Sequence, residues 1–343
     1  MDKVISFIIP AYNSQQYIKK CLDTFLVPEV LDKIEVIVVN DGSEDQTEAI
    51  VQAYVNAYPE VYRLFTKENG GHGSAINEGV CLASGRYLKV IDADDWIYSK
   101  DLHPAVIRLE QCEAQVVIMP YHTIDMATGK RRKYGLYGGY QDEVCALEKI
   151  VENWREFEHG LTFHGVIYKT DFYRARGIRL VEHVFYEDYE YAAVPFCFAQ
   201  TILPVKDISL YEYQIGNSQQ SVAVENQIKR LGHMEQVLEH MADFYREEKR
   251  MPEIGKAYFY KKLEGLLLSY YRTVCLLSPD KRAGVRRANI ENQKLFLKIP
   301  EWKEVVKRKY RIFFLLSLCN VNARQYEGIL NSRIYKAVRG KYG

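Results

Sequence analysis

Through the first third of the chain, short apolar runs alternate with stretches of helical spacing, and each run breaks off in a polar loop. Residues 4–9 are a strand-length apolar run ending at Pro10-Ala11-Tyr12-Asn13, after which Tyr17, Ile18, Leu22 and Phe25 recur at helical intervals. Residues 36–39 form a second run, closed by Asn40-Asp41-Gly42-Ser43, and the helical period resumes over 47–58. A third strand is predicted at 62–65, then Lys67-Glu68-Asn69-Gly70-Gly71-His72-Gly73-Ser74 and a helix over 75–83 that Gly85 stops. Tyr87, Leu88, Val90 and Ile91 predict a fourth strand, buried on both faces, that runs into Asp92-Ala93-Asp94-Asp95. A helix over 102–112 and a strand over 116–119 follow. Strand–helix alternation of this kind implies a mostly parallel, twisted sheet with helices on both faces, whose strand-end loops gather along one edge.

Residues 121–160 are less regular. Thr123-Ile124 and Arg131-Arg132-Lys133 flank a turn at Ala127-Thr128-Gly129, and a helix is expected over 144–157. Residues 166–169 read as a strand, and Asp171 as the cap of a short helix leading to Gly177. From Val224 onward the spacing becomes that of long helices: Val224, Ile228, Leu231, Met234, Leu238, Met241 and Tyr245 keep intervals of three or four. The expected organisation is an α/β domain over 1–222, with halves of about 1–120 and 121–222, and an α-helical region over 223–343.

Composition narrows the class. The 343 residues are 48% hydrophobic and 27% charged, as in a globular protein with a large core. Seven cysteines form no C-x-x-C pair, and the N-terminus lacks the layout of a signal peptide, so a reduced, cytoplasmic chain is expected. No stretch reaches the roughly 18 apolar residues of a membrane span. The net charge of +1 conceals an asymmetry: residues 281–343 hold 16 Lys and Arg against 4 Asp and Glu, leaving 30 against 41 elsewhere. No nucleic-acid recognition motif accompanies that basic tail. Val305, Val306, Tyr310, Phe313 and Phe314 among Lys303, Lys307, Arg308, Lys309 and Arg311 suggest either an amphipathic helix lying on an anionic membrane or a tail that neutralises the acidic body.

The chemistry concentrates at the strand ends. Asp92, Asp94 and Asp95 repel one another unless a cation or several donors offset them, and oxygen ligands suit Mg²⁺ or Mn²⁺. The alternative is an acidic loop with Asp95 capping the helix after Trp96. Tyr12 can stack on a base, Asp41 can accept hydrogen bonds from a base N–H or a ribose hydroxyl, and the glycine-rich third loop with its helix N-terminus suits phosphate. Taken singly, each of these also reads as core packing, a turn or a tight connection.

Four motifs carry a resemblance: Ile8-Ile9-Pro10-Ala11-Tyr12-Asn13, Val38-Val39-Asn40-Asp41-Gly42-Ser43-Glu44-Asp45, Asn69-Gly70-Gly71-His72-Gly73-Ser74-Ala75-Ile76-Asn77-Glu78-Gly79 and Asp92-Ala93-Asp94-Asp95 resemble, in order, those of the family 2 glycosyltransferases. The resemblance implies a GT-A (Rossmann-like) fold. It also implies transfer of a sugar, hexosyl by type, from a nucleotide-sugar, UDP-linked by expectation, to a saccharide or lipid-linked acceptor in cell-surface polysaccharide or glycoconjugate synthesis. Pro10, Ala11, Tyr12, Asn13, Asp41, Asn69, His72, Asp92 and Asp94 would lie on the donor side; Asp94, with Asp92 and Asp95 in support, would hold Mn²⁺ or Mg²⁺. His72 would meet a phosphate or sugar, or brace its loop.

A second acidic cluster, Phe185-Tyr186-Glu187-Asp188-Tyr189-Glu190-Tyr191, stands where relatives carry an acidic pair, and the resemblance makes Asp188 the base that deprotonates the acceptor in an inverting displacement. These acids would equally stabilise the first turn of a helix. Tyr211-Glu212-Tyr213 resembles a segment that follows this pair in relatives, which often carry Arg where Gln214 or Asn217 stands here. A nucleotidylyltransferase would need a basic glycine-rich loop after the first strand, which Pro10-Ala11-Tyr12-Asn13 is not. A non-catalytic nucleotide-sugar-binding protein or partner subunit of another transferase would keep the first four motifs without Asp188. Peripheral contact with the inner face of the plasma membrane and self-association stay open.

Overall fold

The structure is a computed structural model that describes residues 3–136, 142–216 and 224–331. The chain divides into two compact units, Met1–Gln220 with Met251–Tyr260, and Ser221–Arg250 with Lys261–Gly343.

In the first unit the predicted alternation is present. In chain order it runs β1 (Ile5–Ala11), α1 (Ile18–Asp23), β2 (Ile34–Asp41), α2 (Thr47–Ala57), β3 (Tyr62–Lys67), α3 (His72–Leu82), β4 (Tyr87–Val90), β5 (Trp96–Ile97), α4 (Ser99–Glu110) and β6 (Val116–Ile118). The hairpin β7 (Tyr121–Asp125) and β8 (Arg131–Tyr134) follows, then α5 (Leu147–Glu152), α6 (Trp154–Phe157), β9 (Val166–Lys169), α7 (Thr170–Arg174), α8 (Asp188–Ala193), β10 (Ile202–Pro204) and β11 (Tyr211–Ile215). A seven-stranded sheet has the order β10-β6-β9-β4-β1-β2-β3; it is parallel except where β9 runs against β4 and β6. A smaller sheet, β5-β11-β7-β8, brings the segment after the Asp92 motif beside β11. β1 and β2 are buried along their whole length, which is why they read as continuous apolar runs. Gly79 lets α3 lie against β1, since a Cβ there would come within 2.2 Å of Ile8.

Several local expectations are corrected. The helix expected over 144–157 is two short helices, with Cys145 instead bridging to Ile202 at the edge of the large sheet. Gly85 is no helix cap: α3 ends three residues earlier, and the Gly85 N–H goes to Ser6 and to buried Glu35. Asp171 lies in the first turn of α7, whose N-cap is Lys169. Asp95 caps no helix, because Trp96 enters β5 and α4 begins at Ser99.

The second unit is helical: α9 (Val224–Lys229), α10 (Leu231–Glu247), most of α11 (Glu253–Tyr271), a π-helical turn over Arg272–Leu277, α12 (Lys281–Lys298), α13 (Lys303–Leu318) and α14 (Ala323–Asn331). The start of α11 belongs to the first unit, where Tyr258 stacks on Phe196 and bonds to the Ala192 carbonyl. Of the five apolar residues of the basic tail, Val306 and Phe313 are core, Val305, Tyr310 and Phe314 are half-buried, and Phe313 and Tyr310 pack on Tyr271. Among the described residues no helix is long and apolar enough to cross a membrane.

Candidate active site

Because β1, β2, β3 and β4 are parallel, the loops leaving them meet at one edge, and hydrogen bonds lace them together. Pro10 and Ala11 close β1 and are buried, while Tyr12 stands half exposed just beyond. Asn13, left-handed at φ 47°, gives its N–H to the Ser43 hydroxyl and accepts the Glu44 N–H on its side chain, each at 2.9 Å.

Asp41 is buried, with its carboxylate turned to the third loop. Oδ1 accepts from Lys67 Nζ (3.0 Å) and the Gly70 N–H (2.9 Å), and Oδ2 from the Gly71 N–H (2.8 Å); exposed Asn69 bonds to its carbonyl. Three internal donors thus occupy the carboxylate, and its direct effect is to shape residues 69–71. Gly71 sits at φ +87° where a Cβ would come within 2.9 Å of the His183 backbone, and the His183 N–H bonds to the Gly70 carbonyl. Asn77 exchanges two hydrogen bonds with the Leu180 backbone. The loop that leads to the second acidic cluster is therefore fixed to the glycine-rich loop and α3.

His72, the first residue of α3, spans the two clusters. Its Nδ1 lies 2.5 Å from Glu187 Oε1 and its Nε2 3.0 Å from Asp92 Oδ1. Burial opposes a charged ring, but Glu187 and Asp92 outweigh it and hold its pKa well above the ordinary value, so an imidazolium donates to both acids. The other oxygen of Glu187 is buried without a hydrogen-bond partner among the described residues.

The expected repulsion among the three aspartates is relieved in two ways. Burial disfavours an ionised Asp92, yet the His72 bond and charge win and keep its pKa low. Asp95, fully buried, accepts from the Tyr211 hydroxyl (2.6 Å) and the Gln214 N–H (2.7 Å), and burial together with Asp94 and Asp92 drives its pKa well above the carboxylate range. The Tyr211 oxygen also receives the Asp92 N–H. Asp94 is half-buried. Gln214, at an expected arginine position, serves through its backbone, while Asn217 and Ser218-Gln219-Gln220-Ser221 lie outside the described residues.

Sequence reading missed two groups. A ring nitrogen of His164 and carboxylate oxygens of Asp92 and Asp95 all lie within 4.8 Å of one another. His164 Nδ1 is buried without a partner among the described residues, and burial, opposed by Asp92 and aided by Lys89, pulls the ring down to about 4, leaving it neutral as a ligand must be. Lys89, buried within β4, donates to the His164 and Val166 carbonyls, and burial lowers its pKa to about 7 against the pull of Asp92. A lysine inside an apolar strand was a visible signal; His164, in an irregular stretch, offered none. Carboxylates with a neutral imidazole fit Mn²⁺, which accepts both donor types.

Asp188 is the first residue of α8 and half-buried. Burial and then the charges of Asp95, Asp92, Asp188 and Asp94 raise the Tyr213 phenol, so Asp188 and the Asp92 motif act on one ring.

A parallel-rich α/β sheet with acids past the end of a central strand is the plan of a GT-A-like fold. Residues 6–181 match the model of "Glycosyl transferase family 2", a segment that ends before Glu187 and Asp188. The chain is 28% identical over 289 residues to the "Putative glycosyltransferase EpsH" of Bacillus subtilis, covering 82% of this chain and 79% of that protein. It is 28% identical to "Glycosyltransferase GlyA" of Streptococcus pneumoniae over 51% of this chain but only 25% of that one. Among solved structures, S. aureus TarS 1–349 superposes with a TM-score of 0.54 at 18% identity, covering 90% of this chain and 91% of that one. A Pyrobaculum calidifontis mannosyltransferase, in complex with GDP-Man and Mn²⁺, gives a TM-score of 0.50 at 17% identity, with 93% and 88% covered. The chain belongs to glycosyl transferase family 2 and is a glycosyltransferase.

Proposed function

We propose that this chain is a divalent-metal-dependent, inverting transferase that moves a hexosyl group from a UDP-sugar to an acceptor hydroxyl in the assembly of a cell-surface polysaccharide or glycoconjugate. The observation that carries it is the His72 bridge, which sets the Asp92 motif and the Glu187-Asp188 pair against each other at one sheet edge. A structure of TarS in complex with UDP-GlcNAc, 19% identical with a TM-score of 0.51, supports the choice of nucleotide.

Tyr12 stacks on the base, and Asp41 acts through the loop it holds, whose backbone and the N-terminus of α3 face the diphosphate. Asp94, from the motif, and Asp92, Asp95 and His164, whose ligand atoms lie within 4.8 Å of one another, are the residues to hold Mn²⁺ or Mg²⁺. When bound, the cation stabilises negative charge on the departing nucleoside diphosphate. Asp188 takes the proton of the acceptor hydroxyl as that oxygen attacks the anomeric carbon from the face opposite the leaving group, and a single displacement inverts the configuration. His72 holds Glu187 in place beside Asp188, so the base keeps its position relative to the donor.

The direct test is thermal shift with UDP-GlcNAc and with GDP-mannose, with and without Mn²⁺, in the native chain and in Asp94→Asn. A stabilisation by UDP-GlcNAc that needs Mn²⁺ and is weakened about 10- to 100-fold in affinity by Asp94→Asn is expected. Equal shifts with and without the metal would end the metal assignment.

A further inference from the structure

The second unit exposes apolar side chains in a pattern that the first does not. In the first unit the exposed large apolar residues, Tyr12, Tyr58, Phe65, Ile107, Met126, Val144 and Phe185, sit singly on separate elements. In the second, Ile312 (50% exposed), Leu315 (58%) and Leu318 (66%) share α13, and Ile290 (61%) and Leu297 (84%) share α12.

The two helices pack against each other and are built alike. α13 turns Val306, Phe313 and Ser317 inward; at 3.6 residues per turn, Ile312, Leu315 and Leu318 fall on the opposite side, interleaved with exposed Arg308 and Arg311. α12 buries Gly284, Ala288, Glu291, Asn292 and Leu295, and its outer side carries Ile290 and Leu297 with exposed Arg282 and Arg286. Each helix thus has an inner stripe that its own unit covers and an outer stripe of leucine or isoleucine among arginines. Glu304, the acid on the outer side of α13, is engaged by Lys307, and exposed Arg308 also reaches Glu264 of α11 at 3.6 Å.

We propose that the outer faces of α12 and α13 dock on an anionic lipid surface. Leucine and isoleucine side chains enter the boundary between headgroups and acyl chains, while arginines a turn away engage lipid phosphate. The excess of 16 basic over 4 acidic residues across 281–343 draws the unit to a negative surface. A second copy docked face to face is the poorer occupant, since it would set arginines against arginines. Nucleic acid is poorer still, because the aliphatic residues offer a base nothing to stack on. This surface is independent of the donor reading.

The experiment is co-sedimentation of the full chain with phosphatidylcholine vesicles, with and without phosphatidylglycerol, at low and high salt. Binding to the anionic vesicles at low salt is expected, weakened more than about 10-fold on neutral vesicles or in high salt. Leu315→Glu with Leu318→Glu should abolish it. Arg308→Gln with Arg311→Gln should lower it by roughly 20-fold while the double lysine variant retains it, and this pair, which alters no buried side chain, decides the matter if the glutamate pair fails to fold. Absence of binding at low salt, binding indifferent to the arginine pair, or a dimer in light scattering that Leu315→Glu dissociates would overturn the proposal.

Discussion

The strand-end edge of the first unit and the helices of the second both bury carboxylates, and they handle the charge differently. Asp92 and Glu187 share one imidazolium, contributed by His72 from 20 and 115 residues away, and Asp95 is held by Tyr211 from 116 residues away. Glu291, in α12, is just as buried and, like Glu187, has one oxygen without a partner among the described residues, but its ion pair is to Lys294, a turn further along the same helix. Its pKa rises to about 7, through burial opposed by Lys294 and aided by Glu239 and Glu235. Distant partners fix the geometry of these acids, and at Asp92 the charge as well; a neighbour on the same helix leaves Glu291 to titrate. A reactive site needs the first arrangement, because it must hold acids at set separations, ionised at Asp92 and protonated at Asp95.

The largest effect that would sharpen this contrast lies at Asp188. Asp188→Asn should lower sugar transfer by about 10²- to 10⁴-fold while donor binding, followed by thermal shift, is retained. An unchanged transfer rate would remove the base assignment and leave the bridge a structural device.

Breaking the bridge comes next. His72→Gln leaves Glu187 buried without its counter-charge, which costs roughly 3–5 kcal/mol in denaturant unfolding, and adding Glu187→Gln should recover most of that loss. Additive losses in the double variant would show that the two residues act separately.

The smallest effect belongs to Glu291, and its sign is opposite. A carboxyl with a folded-state pKa near 7 binds a proton more tightly folded than unfolded, so its burden on stability is absent below about pH 4.5 and grows to full size above pH 7. Glu291→Gln should therefore match the native chain near pH 4 and exceed it by roughly 2–3 kcal/mol at pH 8, measured by denaturant midpoint. A difference independent of pH would place the protonated acid elsewhere.

Much of the sheet was legible in the sequence, because strands buried on both faces leave uninterrupted apolar runs; the order of its strands was not. The shortfalls came where pattern is weakest: the helix over 144–157 that proved to be two, and the glycine at 85 that answers to Ser6 and Glu35 and not to a helix end. At the site, the position of the Asp92 motif past a strand end was readable, and Lys89 was visible as a lysine within an apolar run. His164 was not, because only packing brings it near Asp92 and Asp95.

By itself the sequence determined the alternation of strands and helices, the edge where the polar loops collect, and a basic amphipathic tail, since periodicity and composition are local properties. Tertiary structure alone decided that His72 joins Asp92 to Glu187, that Asp41 spends its oxygens on residues 67–71, and which side of α13 is core. The physical reason is that hydrogen bonds between residues far apart in the chain, and the competition among apolar faces for burial, depend on which surfaces meet. No window of neighbouring residues records that.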